Sequence, residues 1–383
     1  MSGAIPFCVP FRAPREEEYV AEAVRNGLGA SNGAFSVRAR QLLGGLVGSG
    51  KVFLTTSGSA ALELATLVGG IGPGDEVLLP SFTFTSVANA IVLRGATPVF
   101  VDIEPTTQNI DPARIAEAIT PRTRAIIVVH YAGVACDMER ILAIARRHGL
   151  LVIEDAAHAI GSTLGGRPVG SFGDLAAFSF HHTKNITCGE GGCLVVNRRD
   201  LVDRTEIAFE KGTNRTAFFQ GVVDKYSWVD VGSSFILSEL NAAVLTAQLE
   251  AVNEVTGQRL ALWNTYRDHC GRFRDQGLVM PSVRKEAQHN GHMFQLLLPT
   301  PSMRLDLTAF MRRRGITAPF HYVPLHSAPA GRRFGRTGGT MEVTDDVWGR
   351  LIRLPLYPTL GRDAERVLDA LSDWVNGRET AAG

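Results

Sequence analysis

Six short apolar runs, most of them rich in β-branched residues, punctuate the first half of the chain: "EVLLP" at 76–80, "TPVFVDI" at 97–103, "RAIIVVH" at 124–130, "LLVIED" at 150–155, "LAAFSF" at 175–180 and "CLVVN" at 193–197. Helical spacing occupies 83–94, 112–119 and 137–148, between the earlier runs. A strand buried on both faces has no polar alternate positions, so continuous apolar strands with helical crossovers predict a mostly parallel sheet covered on both sides. Upstream, "VFLTTSGSAALELATLVGG" joins one more strand to a turn and a helix starting at Ser57 or Ser59, either hydroxyl being a good N-cap. The expectation is an α/β fold with a seven-stranded sheet.

Outside this region the pattern changes. "EEEYVAEAVRNG", from residue 16, has helical spacing and ends on Gly27, and "LGASNGAF" reads as a loop. A long helical stretch, "ILSELNAAVLTAQLEAVNEVTGQRLALWNTYRDHC", leads away from the sheet. Beyond it lie a strand "MFQLLLP", a helix "LDLTAFMRRRG", the segment "APFHYVPLH" and a last helix near 363–376. These elements predict a smaller α+β domain over 257–383 after a large domain over 1–256, with "ETAAG" as a frayed end. There is no internal repeat or low-complexity tract.

Composition narrows the function classes. Lys plus Arg number 39 against 38 Asp plus Glu in 383 residues, which provides no long-range field for nucleic acid or an anionic membrane. An anionic ligand must therefore be held by a local site. No apolar run approaches the roughly 18 residues of a membrane span, and the N-terminus lacks a basic stretch followed by an apolar one, so a cytoplasmic location is expected. The five cysteines include no C-x-x-C pair and read as reduced, mostly buried thiols.

Two glycine-rich stretches imitate nucleotide-binding motifs. "GLVGSGKV" at 45–52 has P-loop spacing, but Val52 stands where a hydroxyl should reach magnesium, and it precedes a strand instead of following one. "GGIGPGDE" at 69–76 lies between a helix and a strand, the wrong side for a dinucleotide fingerprint, and reads as a turn. His181 and His182 adjoin no Cys or carboxylate at metal-ligand spacing, so no metal site is expected.

Ligands of open α/β sheets bind at the carboxyl ends of strands. Three such ends carry unusual chemistry: "LLVIED" ends in Glu154 and Asp155, "LAAFSF" ends near Ser179, five residues before Lys184, and "VFLTTSGSA" runs into a helix N-terminus. Together they offer a carboxylate, an amine and an anion cradle. Pyridoxal phosphate needs that set: an amine to form a Schiff base, a carboxylate to keep the pyridine nitrogen protonated, and a helix N-terminus with hydroxyls for the phosphate. Each feature alone has a structural explanation, a surface lysine or a helix cap, but their order along the chain favours a shared task.

With these motifs the chain resembles the fold type I pyridoxal-phosphate aminotransferases acting on sugars, the DegT/DnrJ/EryC1/StrS family. The resemblance rests on "TSGSAAL", "LPSFTFTSVANAI", "PVFVDI", "VIEDAAHAIGS", "FSFHHTKNITCGEGG" and "HYVPLH" and spans "VPFRAP" to "LPLYP". A further segment, "EKGTNRTAFFQGVVDKYSWVDVGSSF" at 210–235, is similar to the branch that aminates C4 of dTDP-4-keto-6-deoxyglucose. By resemblance, Lys184 is the Schiff-base lysine and proton carrier, Asp155 partners the pyridine nitrogen, and Phe84 stacks on the cofactor ring. Gly58, Ser59 and Ser179 match the phosphate cradle; His158 stands where many relatives have Gln. Ser234 of "GSSF" occupies the place from which many members donate an Asn to the neighbouring subunit's phosphate, which implies a homodimer with shared sites. Lys211 and Arg215 are expected to face the nucleotide diphosphate, and Tyr322 and His326 the sugar.

The resemblance implies a transfer of nitrogen from L-glutamate to a nucleotide-linked 4-keto-6-deoxy sugar, the cofactor alternating between pyridoxal and pyridoxamine phosphate. Two alternatives stand beside it. A pyridoxamine-phosphate-dependent sugar dehydratase shares the fold but lacks the lysine present here as Lys184. A non-catalytic cofactor-binding regulatory module would be expected to carry an appended helix-turn-helix, a basic arm or a damaged site, none of which is seen.

Overall fold

The computed structural model describes residues 3–27, 33–48 and 50–382. The expected apolar runs become β1 (Lys51–Thr55), β2 (Glu76–Pro80), β3 (Thr97–Val101), β4 (Thr123–Val129) and β5 (Leu151–Asp155). After a hairpin of β6 (Thr163–Leu164) and β7 (Arg167–Pro168) come β8 (Leu175–Ser179) and β9 (Gly192–Val196). The C-terminal part adds β10 (Ala287–Gln288), β11 (Phe294–Leu297), β12 (Arg336–Thr337) and β13 (Leu351–Leu354). The central sheet has the order β1-β9-β8-β5-β4-β2-β3-β12. β9 is antiparallel to β1 and β8, and every other pair is parallel. Two apolar layers, one on each face, cover strands whose residues are almost entirely buried.

The sheet has eight strands rather than the seven expected, the extra one being β12, paired with β3 through Arg336↔Val99 and Thr337↔Phe100. No apolar run marks it, because it is held by charge. Glu76 at the start of β2 accepts from Arg336 at 3.1 and 2.7 Å, from Arg122 at 3.2 and 2.5 Å and from the Thr120 hydroxyl at 2.7 Å. These contacts hold the Glu76 carboxyl down at about 2, with the Arg336 bonds the largest cause.

A second apolar core gathers Trp263, Tyr266, Phe294, Leu307, Ile352 and Leu371 around the antiparallel pair β11–β13. Ile5 belongs to it, bridged to Ile316, with its N–H donated to the Gly315 carbonyl at 2.8 Å. Chain order and packing thus part company twice across the expected boundary at 256/257: Ile5 joins the later unit and β12 the earlier sheet.

Helix ends follow local chemistry. Ser57 caps the helix Gly58–Val68, its Oγ accepting from Ala60 N at 3.0 Å. The helix Ala34–Val47 was not expected: residues 28–32 of the expected loop lie outside the described residues, and Gly33 opens the helix. Its cap comes from Glu239, whose carboxylate accepts from Phe35 N at 2.7 Å and from the Ser36 hydroxyl at 2.5 Å. The long helical stretch breaks at Ala251 into Glu239–Glu250 and Val252–Cys270. The last helix, Asp363–Ala382, takes in residues 379–382 of the end expected to fray; Gly383 lies outside the described residues. Of the two glycine-rich decoys, 45–52 runs from the end of the helix Ala34–Val47 into β1, with Ser49 outside the described residues, and 69–76 turns from the helix Gly58–Val68 into β2. No helix among the described residues is long and apolar enough to cross a membrane.

Candidate active site

At the carboxyl ends of β1, β5 and β8 a cavity of about 780 Å³ opens, also walled by β13 and the segment 319–322. Of the twelve residues expected in the site, eight line it: Gly58, Ser59, Phe84, Asp155, His158, Ser179, Lys184 and Tyr322.

The anion cradle is built by close backbone approach. A methyl group added at Gly58 would stand 2.7 Å from the Ser179 Cβ, and one at Gly192 only 2.5 Å from the backbone of Ser57 and Gly58. Hydrogen at these positions lets β8 and β9 crowd the turn. The first N–H groups of the helix Gly58–Val68 have no intrahelical acceptor and point out of its end, as anion binding requires. Ser59 Oγ meets Ser86 Oγ at 2.6 Å, which adds a hydroxyl that sequence reading missed. Ser86 lies two residues beyond Phe84 in "SFTFTS", on the first turn of the next helix.

Lys184 sits in the bend after β8, its N–H donated to the His181 carbonyl at 2.9 Å. The bend is closed by Cys188 N donating to Phe180 O at 2.9 Å and anchored by Asn185 Nδ2 donating to Asn290 O at 3.0 Å. Burial lowers the Lys184 amine to about 8, against the opposing pull of Asp155 and with Arg353 pushing the same way. Asp155 is raised by burial, countered by the Ala157 N–H, which donates to Oδ1 at 3.0 Å, and by Lys184. Its neighbour Glu154 faces the other way, accepting from Gly170, Phe172 and Gly173 N–H groups at 2.9, 2.7 and 2.6 Å and from His130 Nε2 at 2.9 Å. Of the two acids in "VIED", one anchors a loop and only Asp155 faces the cavity.

The opposite wall is aromatic. His158 stacks on His292 with centroids 4.4 Å apart at 19°, and its Nε2 lies 3.2 Å from the Tyr322 hydroxyl. His292 Nδ1 lies 2.9 Å from Asn185 Oδ1; because the Asn185 amide nitrogen donates elsewhere, His292 carries its proton on Nδ1. Burial, then cationic neighbours, drive His158 and His321 well below the usual imidazole range. His158 Nδ1 is buried and has no hydrogen-bond partner among the described residues. Phe84 is 57% exposed at the cavity, whereas Phe82 is buried against Tyr131. Motif reading missed His292 and His321, which sit in no repeated spacing, and Arg353, visible only as a charge inside the apolar run "LIRLPL".

Four expected residues lie outside the cavity lining. His326 is occupied on both nitrogens, Nδ1 by Ser81 Oγ at 2.8 Å and Nε2 by Asp345 at 3.3 Å, so it ties the 321–327 segment to the end of β2 and does not reach the site. Lys211, Arg215 and Ser234 are exposed on the 210–235 segment, with Arg215 at 3.6 Å from Glu210 and 5.1 Å over the Phe219 ring. Among the described residues no hydrogen bond or ion pair joins them to a residue of the cavity lining.

A lysine and an aspartate share one buried cavity with a helix-end anion cradle, and the family model for DegT/DnrJ/EryC1/StrS aminotransferases matches residues 12–372. The chain belongs to the DegT/DnrJ/EryC1/StrS aminotransferase family. It is 33% identical over 384 residues to the spore coat polysaccharide biosynthesis protein SpsC of Bacillus subtilis (strain 168), covering 98% of each chain. Among solved structures, the aminotransferase TlmJ from Streptoalloteichus hindustanus superposes with a TM-score of 0.90 at 27% identity, covering 98% of this chain and 100% of that one. DesI, solved in the presence of its TDP-sugar product, gives 0.89 at 28% identity, covering 100% of this chain and 96% of DesI. In this chain β9 runs antiparallel to β8, and its Gly192 packs against the turn at Ser57 and Gly58.

Proposed function

We propose that this protein transfers an amino group from L-glutamate to C4 of a nucleotide-linked 4-keto-6-deoxy sugar, dTDP-4-keto-6-deoxyglucose being the substrate favoured by the 210–235 segment. The observation that carries the reading is the pairing of a buried lysine amine, lowered to about 8, with a buried aspartate in one cavity. Likeness to DesI, solved with its TDP-sugar product, supports a nucleotide-sugar substrate.

The residues fit pyridoxal phosphate: the cradle is shaped by two missing side chains, His158 Nδ1 is buried without a partner, and the donors match a phosphate, a pyridine nitrogen and a carbonyl. When bound, that cofactor supplies an electron sink and carries the nitrogen between its pyridoxal and pyridoxamine forms. Gly58, Ser59 and Ser179 hold the phosphate, Asp155 keeps a proton on the ring nitrogen, and Phe84 covers the ring. Lys184 Nζ takes the proton from Cα of glutamate and later delivers one to C4 of the sugar. A lysine lowered to about 8 can do both near neutral pH, since each protonation state is accessible at modest cost.

The exposed Phe219, Val222 and Trp228, on the same 210–235 segment as Ser234, support a homodimer in which that segment, with Lys211 and Arg215, completes the neighbouring site. The test is incubation with dTDP-4-keto-6-deoxyglucose and L-glutamate, followed by NMR of the nucleotide-sugar product. A 4-amino sugar formed together with 2-oxoglutarate supports the reading; recovery of unchanged keto sugar under cofactor-saturated conditions overturns it.

A further inference from the structure

Three bonds fix His292, which leads into β11. Its N–H donates to Asn290 Oδ1 at 3.1 Å, its carbonyl accepts from Arg259 Nη2 at 2.6 Å, and its ring Nδ1 donates to Asn185 Oδ1 at 2.9 Å. Asn290, fully buried, also holds the loop that carries His158. Its Nδ2 donates to His158 O at 2.8 Å and to Ile160 O at 2.9 Å, and its own carbonyl accepts from Asn185 Nδ2 at 3.0 Å. The fit is close: a methyl group added at Gly133 would stand 2.1 Å from Asn290 Oδ1. Two amides, Asn185 and Asn290, thus tie the residue after Lys184, the backbone of His158 and the ring of His292 into one buried unit.

The purpose of that unit follows from the rings. His158 lies on His292 with centroids 4.4 Å apart at 19°, and its Nε2 is tied to Tyr322 at 3.2 Å. His158 lines the cavity, so the face turned away from His292 is the one left for a ligand. An imidazole otherwise turns freely about its last side-chain bond, whose rotamer wells are broad, and a ring packed against one face removes that freedom. Burial first, then basic neighbours, drive His292 well below the usual imidazole range, as they do His158, so the two uncharged rings stack without repulsion.

Orientation matters to the proposed reaction. A proton taken from carbon next to a conjugated ring system must leave perpendicular to the ring plane, so the tilt of the cofactor relative to Lys184 Nζ bears directly on rate. We propose that His292 is a positioning residue: held by Asn185 and Asn290, it fixes the plane of His158, and through it the tilt of the cofactor ring above Lys184. The proposal rests on the pyridoxal-phosphate reading above.

The test uses the pyridoxal-phosphate-loaded protein and two variants that separate the ring of His292 from its hydrogen bond. His292→Asn places an amide nitrogen where Nδ1 stood but removes the ring; His292→Phe keeps a ring but removes the bond. Equilibrium dialysis reads cofactor affinity, visible circular dichroism of the bound cofactor reads how its ring is held, and bleaching by L-glutamate reads the first half-reaction. For His292→Asn, about fivefold weaker cofactor binding, a reduced visible dichroic band and an about tenfold lower maximal bleaching rate are expected, at a half-saturating glutamate concentration within about twofold of the unaltered protein. His292→Phe should melt at a lower temperature, since Asn185 loses a partner, yet keep cofactor affinity and dichroism near those of the unaltered protein. In a His158→Ala background, His292→Asn should change cofactor affinity less than about twofold, because the residue through which it acts is gone. Native affinity and dichroism in His292→Asn overturn the proposal, as do equal losses in the Asn and Phe variants or an undiminished effect without His158. Should the unaltered protein fail to form the yellow cofactor band, the pyridoxal-phosphate reading itself has failed, and this shows before any variant is made.

Discussion

The hydroxyl of Tyr322 lies 3.2 Å from Nε2 of His158, which joins the segment before the 3₁₀ turn at 325–327 to the residue three beyond Asp155 at the end of β5. It is the only hydrogen bond described for a His158 ring nitrogen. Tyr322→Phe removes it while keeping the ring packing. We expect turnover to fall about tenfold, the worth of one hydrogen bond, and stability to drop by about 1–3 kcal/mol because His158 Nε2 is left buried without a partner. Steady-state kinetics and a melting curve on the same sample check this.

Lys184→Arg keeps a positive charge but cannot form the covalent link or shuttle the proton. Turnover should fall at least about a thousandfold. Added cofactor should bind without the yellow absorption of a lysine-linked pyridoxal. In the unaltered protein, the rate of combination with pyridoxal phosphate should rise with pH through about 8, because only the neutral amine attacks a carbonyl.

The same lysine sets a stability trend in the cofactor-free protein. Its folded value of about 8 lies below its ordinary 10.5, so between these values the unfolded chain binds the extra proton. Stability therefore rises with pH across that window, and the penalty is present in full below it. Lys184→Met should be about 3 kcal/mol more stable than the unaltered cofactor-free protein at pH 7, with the advantage fading by pH 10.5. Urea unfolding at both pH values measures it.

Glu76 behaves in the opposite sense. Its carboxyl is held at about 2 against an ordinary 4.5, so its stabilising effect is complete above pH 4.5 and is lost as pH falls toward 2. Glu76→Gln should cost about 2 kcal/mol at pH 7, a cost that shrinks through that acid window. Chemical denaturation at pH 7 and pH 3 separates the two regimes. Local hydrogen exchange at β12 should also quicken in the variant, since Arg336 loses its counter-ion.

Gly192→Ala tests the shape of the cradle without removing any of its donors. The added methyl would press on the backbone of Ser57 and Gly58, which cannot yield without moving the turn. A loss of pyridoxal phosphate affinity of about tenfold is expected, together with a stability loss of about 1–3 kcal/mol. Equilibrium dialysis of the cofactor reads the first, and thermal unfolding the second.

The sequence alone determined the features carried by short-range pattern. The apolar runs specify β1 to β5, β8 and β9 because a doubly covered strand must be apolar at every position, and "SGS" declares a helix start because a hydroxyl there caps free N–H groups. Lys184 and Asp155 were legible for a related reason: cofactor chemistry demands those groups at strand ends, and strand ends could be read. Tertiary structure alone decided what depends on distant chain segments meeting. Arg336 enters the sheet only because Glu76 waits at its edge, and Glu239 starts a helix some two hundred residues earlier by capping it. His326, expected at the sugar, is claimed instead by Ser81 and Asp345. His292 and Arg353 wall the cavity from segments without a motif, and His321 does so from the first position of "HYVPLH", of which only Tyr322 and His326 had been assigned a task. Local sequence records which face of an element is apolar; which charges and rings share that buried space is set by packing between elements, and packing leaves no periodic mark.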